Sequence, residues 1–293
     1  MKKAVFGWVL AMALLSCEKT INIKTDATAA KLVVDAEIEN DLAPRVILTS
    51  SIGYYESIDS SVLNNSFIHN AIITISDGTK THQLKEYKVP VASGFVFYYS
   101  SDPSNPTTFM KGSLGKQYLL KINYQNQVYS STTHIPALTK KMDSIWWKPL
   151  KNYPDSPQVS LMTRVTDPPG LGNYIRYFTQ QNAGPFYPGL NSVFDDQIVD
   201  GKTYSIQIDR GVNRNAPLDR ANYGYFLKGD TAVVKLCNID KATYDFWRTW
   251  EYSFQSVGNP FSAPGKVTGN IDNGALGAFC GYAAQYKSLI IPK

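Results

Sequence analysis

Cysteine and histidine are scarce in this 293-residue chain, with three of each. His69, His82 and His134 fall on separate expected strands or strand ends, with no His/Cys/Glu cluster at ligand spacing, so zinc catalysis has no support and no metal site is assigned. No Gly-x-Ser-x-Gly elbow and no phosphate-cradling glycine turn between strand and helix occurs. Ser113 and Lys116 have the serine-x-x-lysine spacing of penicillin-binding enzymes, but they stand in a glycine-containing turn without the partner motifs. Charge of one sign is also missing: 29 Lys and Arg face 24 Asp and Glu, and Lys2 and Lys3 supply two of the five net positives. So mild a balance gives no case for nucleic-acid binding. The apolar run 4–15 is too short to cross a bilayer. A non-catalytic protein without a cofactor is the expectation.

What is present begins with that run. Lys2 and Lys3 precede it and Leu14-Leu15-Ser16-Cys17 closes it, which is the pattern of a bacterial lipoprotein processing site. Residues 1–16 therefore read as a signal peptide and Cys17 as the lipidated N-terminus, carrying diacylglycerol and a further acyl chain such as palmitate. At about 0.8 kcal/mol per buried methylene, several chains hold a protein firmly at the interface. Residues 17–30, with Thr20, Thr25, Thr28 and three alanines, read as a tether. Cys237 and Cys280 are then the remaining thiols, in an exported setting where disulfides persist. A bridge would close a loop of about 43 residues and contribute about 3–4 kcal/mol; two small buried side chains are the alternative.

Nineteen Tyr, 13 Phe and 5 Trp, set in short runs with β-branched residues, favour pleated surfaces. Alternating segments at 31–38, 45–50, 71–76, 81–84, 94–99, 117–124 and 128–133 predict a meander, with turns at Asn40-Asp41, Asp77-Gly78 and Gln125-Asn126. So many short strands predict an immunoglobulin-like β-sandwich over 31–136. A second antiparallel β domain, sandwich or barrel-like, is expected over 137–293, with Pro and Gly clusters near 154–157, 168–170 and 184–189 marking loops. Residues 240–255 break this pattern: Asp240 is an N-cap candidate, and Tyr244, Trp247, Trp250, Glu251 and Phe254 recur at helical spacing. One substantial helix is predicted there.

Trp146-Trp147 and Phe186-Tyr187 are the aromatic candidates for ligand or partner contact, since exposed rings stack on sugars or fill pockets. On a strand the two tryptophans point to opposite faces, so one is expected in the core and the other outside or at a domain junction, and burial of both by the second domain is the favoured alternative to a ligand role. Asp195-Asp196 with Asp200 offers oxygen ligands of the kind calcium takes, although adjacent loop acids are more often solvated.

The order of motifs resembles the domain of unknown function 4249 family of lipoproteins from Bacteroidota-type bacteria. It runs through Cys17-Glu18, KLVVDAEIEND at 31–41, NAIITISD at 70–77, GKQYLL at 115–120, DSI at 143–145, DPPG at 167–170, NYIR at 173–176, GNPF at 258–261 and NIDNGALG at 270–277. Cys280, and the pair Trp146-Trp147, depart from the family's usual residues, so a Cys237–Cys280 bridge would be peculiar to this chain. The resemblance implies an outer-membrane, lipid-anchored protein, on either face of that membrane, often encoded beside a TonB-dependent receptor. The expected function is that of a non-catalytic accessory or binding partner of such a receptor in nutrient uptake. An autonomous glycan-binding lipoprotein is the alternative, and an unrecognised hydrolase a third.

Overall fold

The computed structural model describes residues 29–52, 59–91, 94–219, 222–257 and 265–293; Cys17, the expected lipidation site, lies outside them. In β1 (Leu32–Glu39) the alternation works as expected: Leu32, Val34, Ala36 and Ile38 are buried, and Val33, Asp35 and Glu37 face the other way. β2 (Arg45–Ser50) returns beside it after a turn in which Asp41 has φ 67°. β6 (Lys116–Tyr124) and β7 (Gln127–Ile135) are joined by Gln125 and Asn126 at φ 50° and 61°, the two positive angles of a type I′ hairpin.

The hairpin at Asp77-Gly78 is present, but not through the type I′ turn that an Asp-Gly pair favours. β3 (Ile72–Ser76) and β4 (Thr81–Val91) leave a four-residue loop in which only Gly78 is left-handed. Asp77 organises it instead, its carboxylate accepting from Thr79 N, Thr79 Oγ1 and Lys80 N at 2.7–2.9 Å.

β4 also runs further than expected. Its residues 81–83 pair with β3 and 84–91 with β5 (Gly94–Ser101), so one strand carries the sheet around a corner. The N-terminal half encloses a core of Leu48, Ile73, Ile75, Leu120 and Ile122, each at most 1% exposed. A short helix, α1 (Ser60–Ser66), was not foreseen; Asp59 caps it by accepting from Val62 N at 2.8 Å.

In the C-terminal half, β8 (Lys141–Pro149), β9 (Gln158–Thr166), β12 (Thr203–Ile208) and β13 (Phe226–Leu227) form a four-stranded sheet centred on β9. β10 (Tyr174–Gln181), β11 (Tyr187–Phe194), β14 (Thr231–Ile239) and β15 (Leu276–Ile290) join the larger sheet, eleven strands in the order β11-β10-β14-β15-β1-β2-β5-β4-β3-β6-β7. The architecture is mainly β, in two sheets, with no closed barrel among the described residues.

Two segments depart from the sequence reading. β11 contains Pro188 and Gly189, residues that suggested a loop; it is an edge strand, where a missing N–H costs little, and Tyr177 Oη lies 2.0 Å from where a Gly189 Cβ would stand. The apolar stretches at 275–282 and 289–291, which the sequence pattern predicts as separate strands, belong largely to one continuous strand, β15. Its residues 276–282 pair in parallel with β1, and 283–290 pair antiparallel with β14, so both halves share it. Gly277 permits the start of this pairing: φ is 95°, and a Cβ would fall 1.9 Å from the Val34 carbonyl oxygen.

The predicted helix is α2 (Lys241–Ser256), capped by Asp240 Oδ1 accepting from Thr243 N at 2.8 Å. It covers one face of the large sheet through Tyr244 and Phe246, while the small sheet covers the other through Val159, Leu161 and Val165. No described helix is long and apolar enough to cross a membrane.

Candidate functional site

Where the two sheets of the C-terminal half meet, they do not close fully. β12 directs Tyr204, Ile206 and Ile208 inward by alternation, yet Ile206 stays 43% exposed. The space it faces is a crevice of about 610 Å³. β9 contributes Thr163 and Val165 to its floor, the large sheet Ile175, Tyr177 and Leu236, and the stretch after β11 Ile198 and Val199. Its walls are predominantly apolar, as ligand cavities of this size usually are.

The polar groups gather at the rim. Tyr244 Oη donates to Asp195 Oδ2 and accepts from Arg248, each at 3.1 Å. Burial first, and then the bond to Asp195, raises the Tyr244 phenol above its ordinary range. Burial also drives Tyr177 up and holds Tyr204 at about 12, so all three phenols are neutral donors at physiological pH. Asp209 accepts from Gln207 Nε2 at 2.9 Å. Among the described residues no carboxylate lies within ion-pair distance of Arg248.

A buried polar network positions α2 and therefore Tyr244 and Arg248. Glu251 accepts from Ser192 N at 2.9 Å and from Arg214 at 2.8 Å. Arg176, 3% exposed, stacks 3.4 Å over the Trp247 ring and donates to Tyr282 Oη at 2.8 Å and Ser192 Oγ at 3.1 Å. These bonds tie the helix to β10, β11 and β15.

The sequence candidates are dispersed. Trp147 packs on the core between the sheets. Trp146 points to the opposite face, where Lys148 Nζ lies 5.9 Å from its ring. Phe186 sits edge-on to Tyr286 at 5.9 Å, and Tyr187 lines a second cavity of about 320 Å³ with Gln181, Arg210 and Asn213. The tryptophans thus lie on the small sheet and the Phe186-Tyr187 pair at the edge of the large one.

Cys237 and Cys280 are free, buried thiols, which corrects the candidate bridge. Cys237 stands opposite Ala284, leaving Cys280 four residues, about 13 Å, further along the neighbouring strand. Disulfide geometry needs Cα atoms within about 7 Å.

The acidic trio separates. Asp195 turns to Tyr244, whereas Asp196 and Asp200 join Asp167, with their nearest oxygens within 4.8 Å of one another. Asp167 already has a cation: Lys140 Nζ is 2.9 Å from its Oδ1, and both side chains are fully buried. The contact is poorly aligned for a hydrogen bond, so charge holds it. Asp196 accepts from Gly172 N and Asn173 N, and Asp200 from Gly170 N, so these carboxylates shape the loop that the Asp167-Pro168-Pro169-Gly170 motif begins. The bonds from Asn173 and Gly172 outweigh the burial that would raise Asp196, and hold its carboxyl below the usual range.

Fold and site thus define a mainly β protein with a ligand-sized crevice between its sheets. The chain belongs to the family described as domain of unknown function 4249, whose pattern it matches over residues 18–288. The matched span starts one residue after Cys17. No curated protein matches the sequence.

Proposed function

We propose that this is a lipid-anchored binding protein of the outer membrane, a non-catalytic accessory of a TonB-dependent receptor, which holds a small, largely apolar ligand in the crevice between its sheets. The crevice carries the reading: about 610 Å³ of mainly apolar wall with one cationic side chain, Arg248, at the rim. Asp195 and Asp209 share that rim with Arg248, so an apolar body with a polar, hydrogen-bonding end is the ligand chemistry this arrangement fits. Anchoring through Cys17 confines protein and receptor to one surface, which raises effective concentration enough for a modest interface to be occupied.

The fluorescent anion 1-anilinonaphthalene-8-sulfonate tests the crevice. It is expected to bind the native chain, to be excluded by Ile206→Trp, and to bind more weakly to Arg248→Glu. Equal binding by all three proteins would refute the assignment.

Glycan capture keeps one specific observation in its favour. Tyr187 shares the smaller cavity with Arg210, Gln181 and Asn213, an aromatic face beside polar groups of the kind sugars need. A glycan array separates the readings, because binding lost in Tyr187→Ala would favour the autonomous glycan binder.

A further inference from the structure

β12 is bonded on one side only. Its register with β9 continues into the bond from Asp167 N to the Lys202 carbonyl at 3.0 Å, so Lys202, Tyr204, Ile206 and Ile208 turn their N–H and C=O groups to β9. Thr203, Ser205 and Gln207 direct theirs away from the sheet, and among the described residues no hydrogen bond reaches those backbone groups. All three residues are exposed. The strand holds no charged side chain and no proline, and its register runs without a bulge.

Proteins normally blunt such an edge, and this chain does so elsewhere. On β7, Asp240 accepts from His134 N at 3.0 Å and Asp272 from Ser130 N. On β11, the Pro188 and Gly189 carbonyls accept from Val212 N and Arg214, each at 2.9 Å. β8 shifts register between Met142 and Ser144 and ends at Pro149, and the run of β4 beyond β3 carries Lys85, Lys88 and Pro90. β12 has no such device, and it borders the opening of the crevice, where its inward side chain Ile206 stays exposed. An unguarded edge and an incomplete cavity wall thus coincide.

From this we infer that β12 pairs with β12 of a second copy of the chain about a two-fold axis, and that the partner copy supplies the missing side of the crevice. The occupant follows from the strand's own pattern. A strand that covers this edge must set apolar side chains over the crevice and uncharged ones on the opposite face, and Thr203-Tyr-Ser-Ile-Gln-Ile208 does both. An antiparallel pairing centred on Ser205 sets Thr203 opposite the partner's Gln207 and Ser205 opposite the partner's Ser205, so all three outward residues of each copy exchange backbone bonds. Sliding by two residues in either direction leaves only two of them paired. On the crevice side Ile206 then faces the partner's Tyr204 in a non-hydrogen-bonded pair, where side chains approach most closely. Lys202 faces the partner's Ile208, so no like charges oppose each other. The two small sheets become one continuous sheet, and each crevice gains an apolar roof. The roof rests on the reading of the crevice as a ligand site; the pairing stands without it.

The test uses the full chain in mild detergent. Light scattering after size-exclusion chromatography is expected to give a dimer for the native chain and a monomer for Ser205→Pro, which removes an N–H that β9 does not use. Ser205→Cys and Thr203→Cys read the register on oxidation with copper phenanthroline, the buried native thiols taking no part. Facing Ser205 residues stand about 5.5 Å apart between Cα atoms, within disulfide reach, whereas the two Thr203 residues are four positions out of register, about 13 Å along the strands. A linked dimer is therefore expected at 205 and not at 203. A monomeric native chain, a dimeric Ser205→Pro, or equal linking at 203 and 205 would overturn the pairing. Binding of 1-anilinonaphthalene-8-sulfonate separates the roof from the crevice. Weaker binding to monomeric Ser205→Pro than to the native dimer supports the roof, and equal binding overturns the roof alone. Binding to neither would overturn the crevice reading and the roof with it, while the pairing stands on the linking result.

Discussion

Replacing Lys140 by methionine isolates the buried charge on which the junction between the two halves turns. The residue sits between β7 and β8. Its backbone N–H donates to Asn238 Oδ1 at 2.9 Å, and its carbonyl accepts from Asn238 Nδ2 at 3.1 Å and Gln285 Nε2 at 2.8 Å. Methionine keeps those backbone bonds and much of the side-chain volume. What it removes is the ammonium 2.9 Å from Asp167. Breaking one side of a buried pair strands the other charge and costs about 3–5 kcal/mol. At about 2–4 °C per kcal/mol, the melting temperature should fall by about 6–20 °C. Adding Asp167→Asn removes the stranded charge while keeping the side-chain shape, so the double variant should recover to within about 1–2 kcal/mol of the native protein. Urea midpoints followed by far-UV circular dichroism measure both. A single variant that loses less than about 1 kcal/mol, or a double variant no more stable than the single, would refute the ion-pair account.

Trp147→Ala should cost about 3 kcal/mol by opening the core between the sheets, whereas Trp146→Ala on the outer face should stay within about 1 kcal/mol; chemical denaturation distinguishes them. The Cys237 and Cys280 thiols, pushed to about 12 by burial, should resist alkylation at about pH 9 in the folded protein and react in denaturant, with reductant leaving stability unchanged; rapid native labelling would contradict their burial. Desolvation opposes the shift at Asp77, but hydrogen bonds from Lys80 and Thr79 outweigh it and hold the carboxyl at about 2. A depressed folded-state value stabilises above the ordinary carboxylate range, and that contribution is lost as pH falls through about 4 to about 2. Asp77→Ala should therefore show a smaller loss of stability across that window than the native chain, and parallel curves would count against the loop's role.

Local chemistry made most elements legible. Asp240 followed by aromatic residues at helical spacing gave α2 to within a residue, and alternation gave β1, β3 and β7. Residues of double meaning were less legible: Pro188 and Gly189 signal loops, yet an edge strand tolerates both, and Pro90 likewise lies in β4 where only one side is paired. The crevice was not legible at all. Its walls come from β9, β10, β12, β14 and α2, brought together only by sheet order, and the open side shows as exposure of Ile198, Ile206 and Phe194. Asp167 joining Asp196 and Asp200 is a meeting of the same long-range kind, although the acidic pair itself could be seen. The signal for Lys140 was weaker still, since nothing in a Lys-Lys dipeptide marks one member as fully buried.

The central claim is that the anchored chain works beside a receptor. A mild-detergent pull-down of the tagged protein from its own envelope, with mass spectrometry of proteins and small molecules, tests it most directly. The account predicts a stoichiometric TonB-dependent receptor and a largely apolar compound that is lost from Ile206→Trp. Recovery of the protein alone, with the same small molecules in both variants, would contradict it.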